Sequence, residues 1–343
     1  MKVLQIEGTT GHSEIAVGEG IENIEKYIPS ENVIIVTDAN VGRHYRDVFP
    51  PFKVLEIGIG EKIKNLDTVQ GLYGKFVELE ADRSSFILGI GGGIVCDITG
   101  FVASTYLRGL PFGFVSTTLL SQVDASVGGK NGVNYGGYKN MVGVFNQPEF
   151  VLCDINLLKT LPEREILCGL AEIVKHALIG DSGLLSYLED HCEQVRSLDP
   201  EVLEKLVYDS VVFKASVVNQ DERERGERRK LNFGHTFGHA IEKTTGVLHG
   251  EAVSAGMVIA VEFSVKKGLL SPDDAERVMD LLRRLGLPTR IQIDRGKMVD
   301  AIRRDKKRAG DKIHFVFLNS LGQAVVEAVS LQELEALIKE LKC

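Results

Sequence analysis

The chain has 343 residues, of which 44% are hydrophobic and 26% are charged, a balance typical of a soluble globular protein with one large or two ordinary domains. Its formal net charge of −8 disfavours a nucleic-acid partner. No apolar run reaches membrane-spanning length, and the start MKVLQIEG lacks the apolar segment of a signal peptide, so we expect a cytoplasmic protein without membrane contact. Five scattered cysteines without a CxxC pair predict neither a disulfide framework nor a cysteine zinc site.

The first half of the chain alternates short apolar runs with helical periodicity, which predicts parallel βα units. The β-branched run from Val33 to Val36 predicts a buried strand that ends at Thr37-Asp38. An acid at the end of such a strand can bind a ribose diol, and an acidic turn residue is the equal alternative. Lys53 to Ile57 predicts the next strand, which a glycine-containing turn and a helix over residues 66–79 follow.

A glycine-rich turn comes next, in the segment SSFILGIGGGIVCDITGFVAS. Residues 85–88 predict a buried strand, residues 89–93 a turn, and the following residues a helix that runs to about Thr105. This arrangement brings backbone N–H groups and the positive end of a helix to a pyrophosphate. The spacing departs from GxGxxG at Ile94, and a purely conformational role for the glycines is the alternative. Phe112 to Ser116 predicts another strand, ending in the hydroxyls of Thr117 and Thr118.

Residues 124–145 predict a long irregular loop, rich in glycine, that carries Asp124, Lys130, Lys139 and Asn140. A loop of this length in a compact domain is usually functional, and its lysines can bind a phosphate. A flexible solvated loop is the alternative. Val151 to Cys153 predicts the last strand of the first half.

Helical periodicity dominates after about Asp154, with breaks near residues 180–182, 199–200, 246, 271–272 and 286–288 and a late hairpin at residues 312–318 and 323–327. In one of these helices Glu172, Lys175 and His176 share a face, which either a simple salt bridge or a metal ligand beside a substrate lysine explains. In another, Lys214 lies among apolar residues, where its ammonium group could simply snorkel to solvent.

Three of the eight histidines, His235, His239 and His249, lie in the segment from Lys230 to Glu251. The first two are four residues apart and therefore on one face of a helix, as in the zinc motif HExxH, whose Glu is replaced here by Thr236. This concentration of imidazoles favours a divalent metal site. A third ligand could come from His249 or from a distant carboxylate, and capping or core histidines are the alternative interpretation.

Taken together, these stretches resemble the 3-dehydroquinate synthase family of sugar-phosphate cyclases. The matching blocks follow the family's order from about residue 34 to 307 and are GEKIKN, GGGIVCDITGFVASTYLRG, STTLLSQVDASVGGKNGVNYGGYKNMVG, LKTLPERE, GLAEIVKHALIGD, KASVVNQDERERGERRKLNFGHTFGHAIE, LHGEAVSAGM and RRDKK. One departure is Cys96, where the family commonly has glycine, and we expect a local effect at most.

The resemblance implies an N-terminal dinucleotide-binding α/β domain with a parallel sheet over residues 1–154, and a mainly α-helical metal- and substrate-binding domain over residues 155–343. It implies that zinc or cobalt is bound by Glu172, His235 and His249, and that His239 handles a proton instead. The implied NAD-binding residues are Asp38, Glu61, Lys64, Gly92, Gly93, Asp97, Thr117, Thr118, Lys130, Lys139, Leu157 and Thr160. The implied catalytic and substrate-binding residues are Arg108, Asp124, Lys130, Asn140, Lys175, Lys214, Arg228, Asn232 and His239, with one of Lys306 and Lys307.

The resemblance also implies a reaction. A family member converts 3-deoxy-D-arabino-heptulosonate 7-phosphate into 3-dehydroquinate and phosphate, in the shikimate pathway to chorismate and the aromatic amino acids. NAD oxidises the substrate transiently, phosphate leaves by β-elimination, the ketone is reduced again, and an intramolecular aldol step closes the ring. The family is usually homodimeric, and Arg108 is expected to enter the partner's site.

Three other functions compete with this one. The first is a related cyclase acting on a heptulose 7-phosphate without the carboxylate, and the second is a metal-dependent polyol dehydrogenase of the same fold. The number of lysines argues against the dehydrogenase, because simple alcohols need no phosphate pocket. The third is a non-catalytic NAD- or metal-binding module, which the full set of acidic, basic and cationic residues disfavours.

Overall fold

The computed structural model describes residues 1–303, 308–309 and 311–340. Lys306 and Lys307, one of which is expected to bind substrate, lie outside the described residues. The chain forms two compact units. Unit 1 consists of Met1–Pro162 with Lys214–Glu222, and unit 2 consists of Glu163–Phe213 with Arg223–Cys343.

Unit 1 is built on a sheet whose neighbouring strands are parallel, except for the first hairpin. The strands of unit 1 are β1 (Lys2–Gly8), β2 (Gly11–Val17), β3 (Val33–Asp38), β4 (Lys53–Ile57), β5 (Phe86–Gly91), β6 (Phe112–Ser116), β7 (Lys130–Tyr135), β8 (Tyr138–Phe145) and β9 (Phe150–Cys153). The order in the large sheet is β1-β2-β9-β6-β5-β3-β4. The strands predicted at residues 33–36, 53–57, 112–116 and 151–153 are confirmed, and so is the α/β fold class.

The helices of unit 1 are α1 (Ala39–Tyr45), α2 (Leu66–Glu78) and α3 (Gly93–Thr105). Helix α2 begins where the Asn65 side chain accepts a hydrogen bond from the Thr68 N–H, and it buries Val69, Leu72 and Phe76 on one face. Ile35, Leu88, Val115 and Leu152 of the sheet lie in the core. The predicted helix over residues 66–79 is therefore confirmed to within one residue.

The prediction of a turn over residues 89–93 is wrong in its first half. Strand β5 continues to Gly91, so Gly89 and Gly91 are strand residues and only Gly92 separates the strand from α3. A Cβ atom on Gly89 would lie 3.0 Å from Oγ1 of Thr99 and 3.1 Å from the ring of Phe114. Gly89 therefore has no side chain because α3 and the neighbouring strand β6 pack closely against β5 at this position. The spacing of glycines along the sequence does not reveal this packing.

The prediction of a long irregular loop at residues 124–145 is also wrong. Most of this segment is the antiparallel hairpin β7–β8, in which Tyr135 pairs with Tyr138 across a turn formed by Gly136 and Gly137. Both glycines have positive φ, 58° and 79°, as the tight two-residue hairpin turn requires. The Gly-Gly pair between two tyrosines was the signal for this hairpin.

The N-terminal hairpin β1–β2, which carries no sequence motif, extends the sheet at the β9 side. Its turn is anchored by Glu222, whose carboxylate accepts hydrogen bonds from Thr9 and Thr10, from the Thr9 N–H at 2.9 Å, and from Gln147 at 3.3 Å. Burial acts to raise the pKa of Glu222, but these hydrogen bonds outweigh it and lower the pKa to about 2.

Unit 2 is mainly helical. Its elements are α4 (Glu163–Gly180), α5 (Ser182–Asp190), α6 (Cys192–Arg196), α7 (Pro200–Gln220, whose last residues belong to unit 1), α8 (His235–Thr245), α9 (His249–Lys266), α10 (Pro272–Arg284), α11 (Arg295–Arg303), β10 (Arg308–Ala309), β11 (Lys312–Ser320), β12 (Gln323–Ser330) and α12 (Leu331–Glu340). The predicted helix breaks and the late hairpin are confirmed. Asp181 and Ser271 cap the helices that follow them, and Gly246, with a φ of 73°, ends α8. None of the helices among the described residues is both long and apolar enough to cross a membrane.

Candidate active site

Glu172 lies in the middle of α4, a helix that is buried along most of its length. Its side chain is fully buried and contacts the ammonium group of Lys175 one turn further along. On the same helix, Nδ1 of His176 is 2.6 Å from Oγ of Ser210. Buried charges are costly unless they are paired, so this acid and this lysine on an apolar helix mark a site rather than a surface.

Glycines allow the other two elements of the site to come close. A Cβ atom on Gly256 of α9 would collide with the carbonyl oxygen of Gly234 at the start of α8, and one on Gly250 would collide with Cα of Cys168 in α4. The first residue of α8 is His235, and the first residue of α9 is His249. Close backbone packing therefore brings both imidazoles towards the buried carboxylate.

Glu172, His235 and His249, called here the Glu–His–His cluster, offer ligand atoms that all lie within 4.8 Å of one another. Oε1 of Glu172 is 3.6 Å from Nε2 of His235 and 3.4 Å from Nε2 of His249. Nδ1 of His235 donates to the carbonyl oxygen of Phe233 at 3.0 Å, so in the neutral imidazole the lone pair is on Nε2, the atom nearer to Glu172. One carboxylate and two imidazoles suit zinc or cobalt, so the residues present fit a divalent metal ion.

Two carboxylates beside His249 govern its protonation. Burial acts to lower the pKa of His249, but Glu172 and Glu242 raise it to about 9. Oε2 of Glu242 is 3.5 Å from Nδ1 of His249, on the ring edge away from Glu172. A bound dication would compete with the proton on this imidazole, because a metal ligand must be deprotonated. Glu242 was not singled out from the sequence, although its position in the HTFGHAIE block was a possible signal.

His239 lies one turn along α8, with its ring centroid 5.2 Å from that of His235 and 6.3 Å from that of His249. Arg228 and Asn232 lie in the short helix Glu227–Asn232 that precedes α8. Arg228 is only 2% exposed, and the amide of Asn232 contacts Glu224. Among the described residues of unit 2, the predicted substrate residues Lys175, Arg228, Asn232 and His239 thus lie on the elements that carry or precede the ligands of the Glu–His–His cluster.

The glycine turn of unit 1 ends at the N-terminus of α3. Gly92 precedes α3 and has no side chain to cap it, so the first N–H groups of the helix are open to a ligand. A Cβ atom on Gly92 would lie 2.8 Å from Cγ2 of Thr118, and one on Gly93 would lie 2.9 Å from Cβ of Ala125. This narrow cradle at a helix N-terminus fits a pyrophosphate. Cys96 is buried within α3, with its Sγ 3.8 Å from the carbonyl oxygen of Gly91.

Other predicted NAD residues form polar contacts within unit 1. Oδ1 of Asp38 caps α1 by accepting from the N–H groups of Asn40 and Val41 at 2.8 and 3.0 Å. The hydroxyl of Tyr45 donates to the carbonyl oxygen of Leu157 at 2.9 Å and is 2.7 Å from Oγ1 of Thr160. Tyr45 was not singled out from the sequence, and nothing in its local pattern indicates this contact.

A second cluster of polar side chains surrounds Lys64, which is buried. Lys64 contacts Asp97, and its Nζ donates to Oδ1 of Asn140 at 2.6 Å. Burial raises the pKa of Asp97, although Lys64 opposes this shift. Nζ of Lys139 is 3.7 Å from Oε1 of Glu61. These residues come from α3, the β7–β8 hairpin and the segment after β4, so several of the predicted NAD and substrate residues converge.

Lys214 contacts Asp124, and both belong to unit 1. Lys214 is only 5% exposed, so its ammonium group does not snorkel to solvent. Lys130 is exposed at the start of β7. Arg108 is exposed and has a φ of 69°, in the left-handed region that side chains other than glycine rarely adopt.

The fold is the one found in solved sugar-phosphate cyclases. A solved 2-deoxy-scyllo-inosose synthase, complexed with carbaglucose-6-phosphate, NAD+ and Co2+, superposes with a TM-score of 0.89 at 27% identity, covering 99% of this chain and 100% of that one. A 2-epi-5-epi-valiolone synthase from Streptomyces hygroscopicus, with NAD+ and Zn2+ bound, gives 0.88 at 27% identity, covering 99% and 98%. A probable glycerol dehydrogenase from Sinorhizobium meliloti, 14% identical with a TM-score of 0.65 and covering 93% of each chain, shares the fold alone.

Sequence comparison identifies the family within this class. The family models for the N-terminal and C-terminal parts of 3-dehydroquinate synthase match residues 54–168 and 169–308. The 3-dehydroquinate synthase of Dehalococcoides mccartyi is 40% identical over 338 residues, covering 95% of this chain and 94% of that protein. The one from Halorhodospira halophila is 43% identical over 323 residues, covering 91% of each. The chain belongs to the 3-dehydroquinate synthase family, as the resemblance predicted.

Proposed function

We propose that the protein converts 3-deoxy-D-arabino-heptulosonate 7-phosphate into 3-dehydroquinate and phosphate, as a cyclising lyase that depends on NAD and a divalent metal. The observation that carries this proposal is the Glu–His–His cluster with Lys175 beside it, in a chain that is 40–43% identical to enzymes named 3-dehydroquinate synthase. The solved inosose synthase carries carbaglucose-6-phosphate, and both solved cyclases are named for other products. The greater identity to the dehydroquinate synthases favours the heptulosonate phosphate as the substrate.

The Glu–His–His cluster would hold the metal, which when bound acts as a Lewis acid on a substrate hydroxyl. Lys175 contacts Glu172 and holds a positive charge beside the carboxylate. His239, one turn from His235, is placed to accept or deliver a proton without replacing a ligand. Asn232 and Arg228 would orient the substrate from the helix that precedes α8.

Unit 1 would hold the dinucleotide, which when bound is a reversible hydride acceptor. The cradle at Gly92 and Gly93 would bind the pyrophosphate through backbone N–H groups, next to Thr117 and Thr118. Asp38 would bind a ribose hydroxyl with the carboxylate oxygen that does not cap α1. The remaining proposed contacts are Glu61, Lys64, Asp97, Lys130, Lys139, Leu157 and Thr160.

The substrate carries a phosphate and a carboxylate, and both need cations in a dry site. We assign this work to Lys130, Lys175, Lys214 and Arg228, with Asp124 and Asn140 binding hydroxyl groups. Asp124 contacts Lys214 and Asn140 accepts from Lys64, so each of these two polar side chains is already oriented by a lysine.

We propose in addition that residues 1–154 form the NAD-binding domain and residues 155–343 the metal- and substrate-binding domain. The glycine cradle lies in the first range and the Glu–His–His cluster in the second. The protein would act in the cytoplasm as a homodimer in which Arg108 serves the partner's site. Arg108 is exposed, so its side chain is accessible to a partner subunit.

The test is to incubate the purified protein with the heptulosonate phosphate, catalytic NAD and zinc, and to follow phosphate release and absorbance at the NADH wavelength together. We expect phosphate release that requires NAD, with no lasting rise in NADH, because the reaction has no net redox change. Stoichiometric NADH from a simple polyol, without phosphate release from the heptulosonate phosphate, would instead identify a dehydrogenase.

A further inference from the structure

Two sequence blocks of this chain, LKTLPERE and LHGEAVSAGM, contain charged residues, Arg164 and Glu251, that have no part in the site described above. Each contributes one charged residue to a single ion pair in unit 2. Nε and Nη2 of Arg164, in the first turn of α4, donate to Oε1 and Oε2 of Glu251, each at 2.9 Å. This is the bidentate geometry that gives arginine–carboxylate pairs a fixed relative orientation.

Glu251 has a second contact that ties it to the start of α9. Its Oε2 accepts a hydrogen bond from the backbone N–H of Leu248 at 3.0 Å. Leu248 is the residue before His249, so the carboxylate fixes the backbone on both sides of that histidine. The direction of the His249 side chain depends on this first turn, because a helical side chain follows its own backbone.

The other end of the pair lies on the helix that carries the acidic ligand. Arg164 and Glu172 are separated on α4 by a rise of about 12 Å, at 1.5 Å per residue. Between them, Cys168 of α4 is in the close backbone packing with Gly250 of α9 described above. The Arg164–Glu251 pair and this packing together join the first turn of α9 to α4, and therefore join His249 to Glu172.

We propose that Arg164 and Glu251 are positioning residues for the metal ligand His249, and that the pair sets the affinity of the Glu–His–His cluster for its metal ion. The inference rests on the metal site of the proposed function. The side chain of Arg164 is 63% exposed, so the pair contributes little to folding in general. Its effect lies in geometry, because partners that orient a metal ligand change metal affinity by about 10- to 100-fold when they are removed.

The experiment measures zinc affinity by competition with a chromogenic chelator, and the visible spectrum of the Co2+ form, for wild type, Arg164→Ala, Glu251→Ala, Glu251→Gln and the double alanine variant. We expect each alanine variant to bind zinc about 10- to 100-fold more weakly and to change the Co2+ spectrum. The double variant should bind zinc no more weakly than the weaker-binding of the two single alanine variants, since the two residues act as one unit. Glu251→Gln should bind more tightly than Glu251→Ala, because its amide oxygen can still accept from Leu248.

The chain provides a matched control in Arg277 and Glu189, another bidentate ion pair in unit 2. Nε and Nη2 of Arg277 donate to Oε1 and Oε2 of Glu189 at 2.6 and 2.7 Å. Glu189 lies on α5 and Arg277 on α10, neither of which carries a proposed ligand. Arg277→Ala and Glu189→Ala should leave zinc affinity within about twofold of wild type. An equal loss of affinity in these variants would overturn the inference.

Unchanged zinc affinity in Arg164→Ala would overturn the positioning role but not the proposed metal site. If Glu251→Ala does not fold, Arg164→Ala decides whether the pair positions His249. A wild type that binds no zinc would overturn the proposed metal site, and the inference with it. Thermal unfolding without metal completes the test. Arg164→Ala and Arg277→Ala should have similar midpoints, so that a difference in zinc affinity reports positioning rather than general stability.

Discussion

The glycine cradle of unit 1 and the Glu–His–His cluster of unit 2 are built in opposite ways. The cradle is one continuous segment, in which a strand ends at Gly91 and a helix begins at Gly93, and the groups that we propose for binding belong to the backbone. The cluster takes three side chains from three helices, which glycines bring into close packing. A backbone site therefore depends on local conformation and on space, whereas a side-chain site depends on how whole helices pack.

The largest effect is expected from the removal of a ligand. His235→Ala should abolish measurable zinc binding and activity, because one carboxylate and one imidazole are a poor set for this metal. His239→Ala is the matched control on the next turn of the same helix, and it should retain zinc while turnover falls. Metal content by atomic absorption checks both. Full zinc occupancy in His235→Ala, or loss of zinc in His239→Ala, would mean that the cluster has been assigned to the wrong histidine.

The next effect concerns Arg228, a buried cation on the element before α8. Loss of its contact with the substrate carboxylate should cost roughly 2–5 kcal/mol. Wild type should therefore have a much higher kcat/KM for the heptulosonate phosphate than for sedoheptulose 7-phosphate, and Arg228→Ala should narrow this ratio. Arg229→Ala, whose guanidinium lies 3.3 Å from His314, is the control and should leave the ratio unchanged. A wild type that prefers the sugar without the carboxylate would identify the related cyclase.

A smaller effect concerns the anchor of the N-terminal hairpin. The pKa of Glu222 is lowered from 4.5 to about 2, so its ionised form stabilises the folded state by about 3 kcal/mol at neutral pH. This contribution is complete above pH 4.5 and is lost as the pH falls towards 2. Glu222→Gln should lower the thermal midpoint at pH 7, and the difference from wild type should shrink at pH 3.5. Glu78→Gln removes an exposed pair with Lys75 and should change the midpoint little at either pH.

The smallest effect tests the cradle itself. In Gly93→Ala the new Cβ atom would lie 2.9 Å from Cβ of Ala125, so the start of α3 must shift. We expect the Kd for NAD to rise about tenfold, or about 1.4 kcal/mol, with zinc affinity unchanged. Gly74→Ala in α2, where a Cβ meets nothing within 4 Å, is the control and should bind NAD normally. NAD affinity that is unchanged in Gly93→Ala would show that the cradle is not the pyrophosphate site.

The errors in the sequence analysis came from interpreting glycine without its neighbours. Gly89 and Gly91 were expected in a turn but lie in β5. At Gly89 the reason for glycine is space, because Thr99 and Phe114 leave no room for a side chain. Gly136 and Gly137 were expected in a loop but form a two-residue hairpin turn. A glycine shows that a side chain is absent, and only the surrounding structure shows whether space or conformation is the reason.

By itself the sequence determined the local elements of this protein. Most strands of the parallel sheet, the helix limits at Asp181, Gly246 and Ser271, and the late hairpin follow from periodicity and from capping residues, which act over a few residues. The HxxxH spacing likewise placed His235 and His239 on one face of α8. It left open whether His249, a carboxylate or neither would join them.

Only the tertiary structure decided which side chains meet. Glu172, His235 and His249 converge because α9 packs against both α4 and α8, through contacts that no short window of sequence contains. The Arg164–Glu251 pair depends on the same packing. The N-terminal hairpin is likewise anchored by a distant residue, Glu222, which lies two residues beyond the end of α7. Burial and long-range packing set these contacts, because the free energy of each depends on neighbours that come from remote parts of the chain.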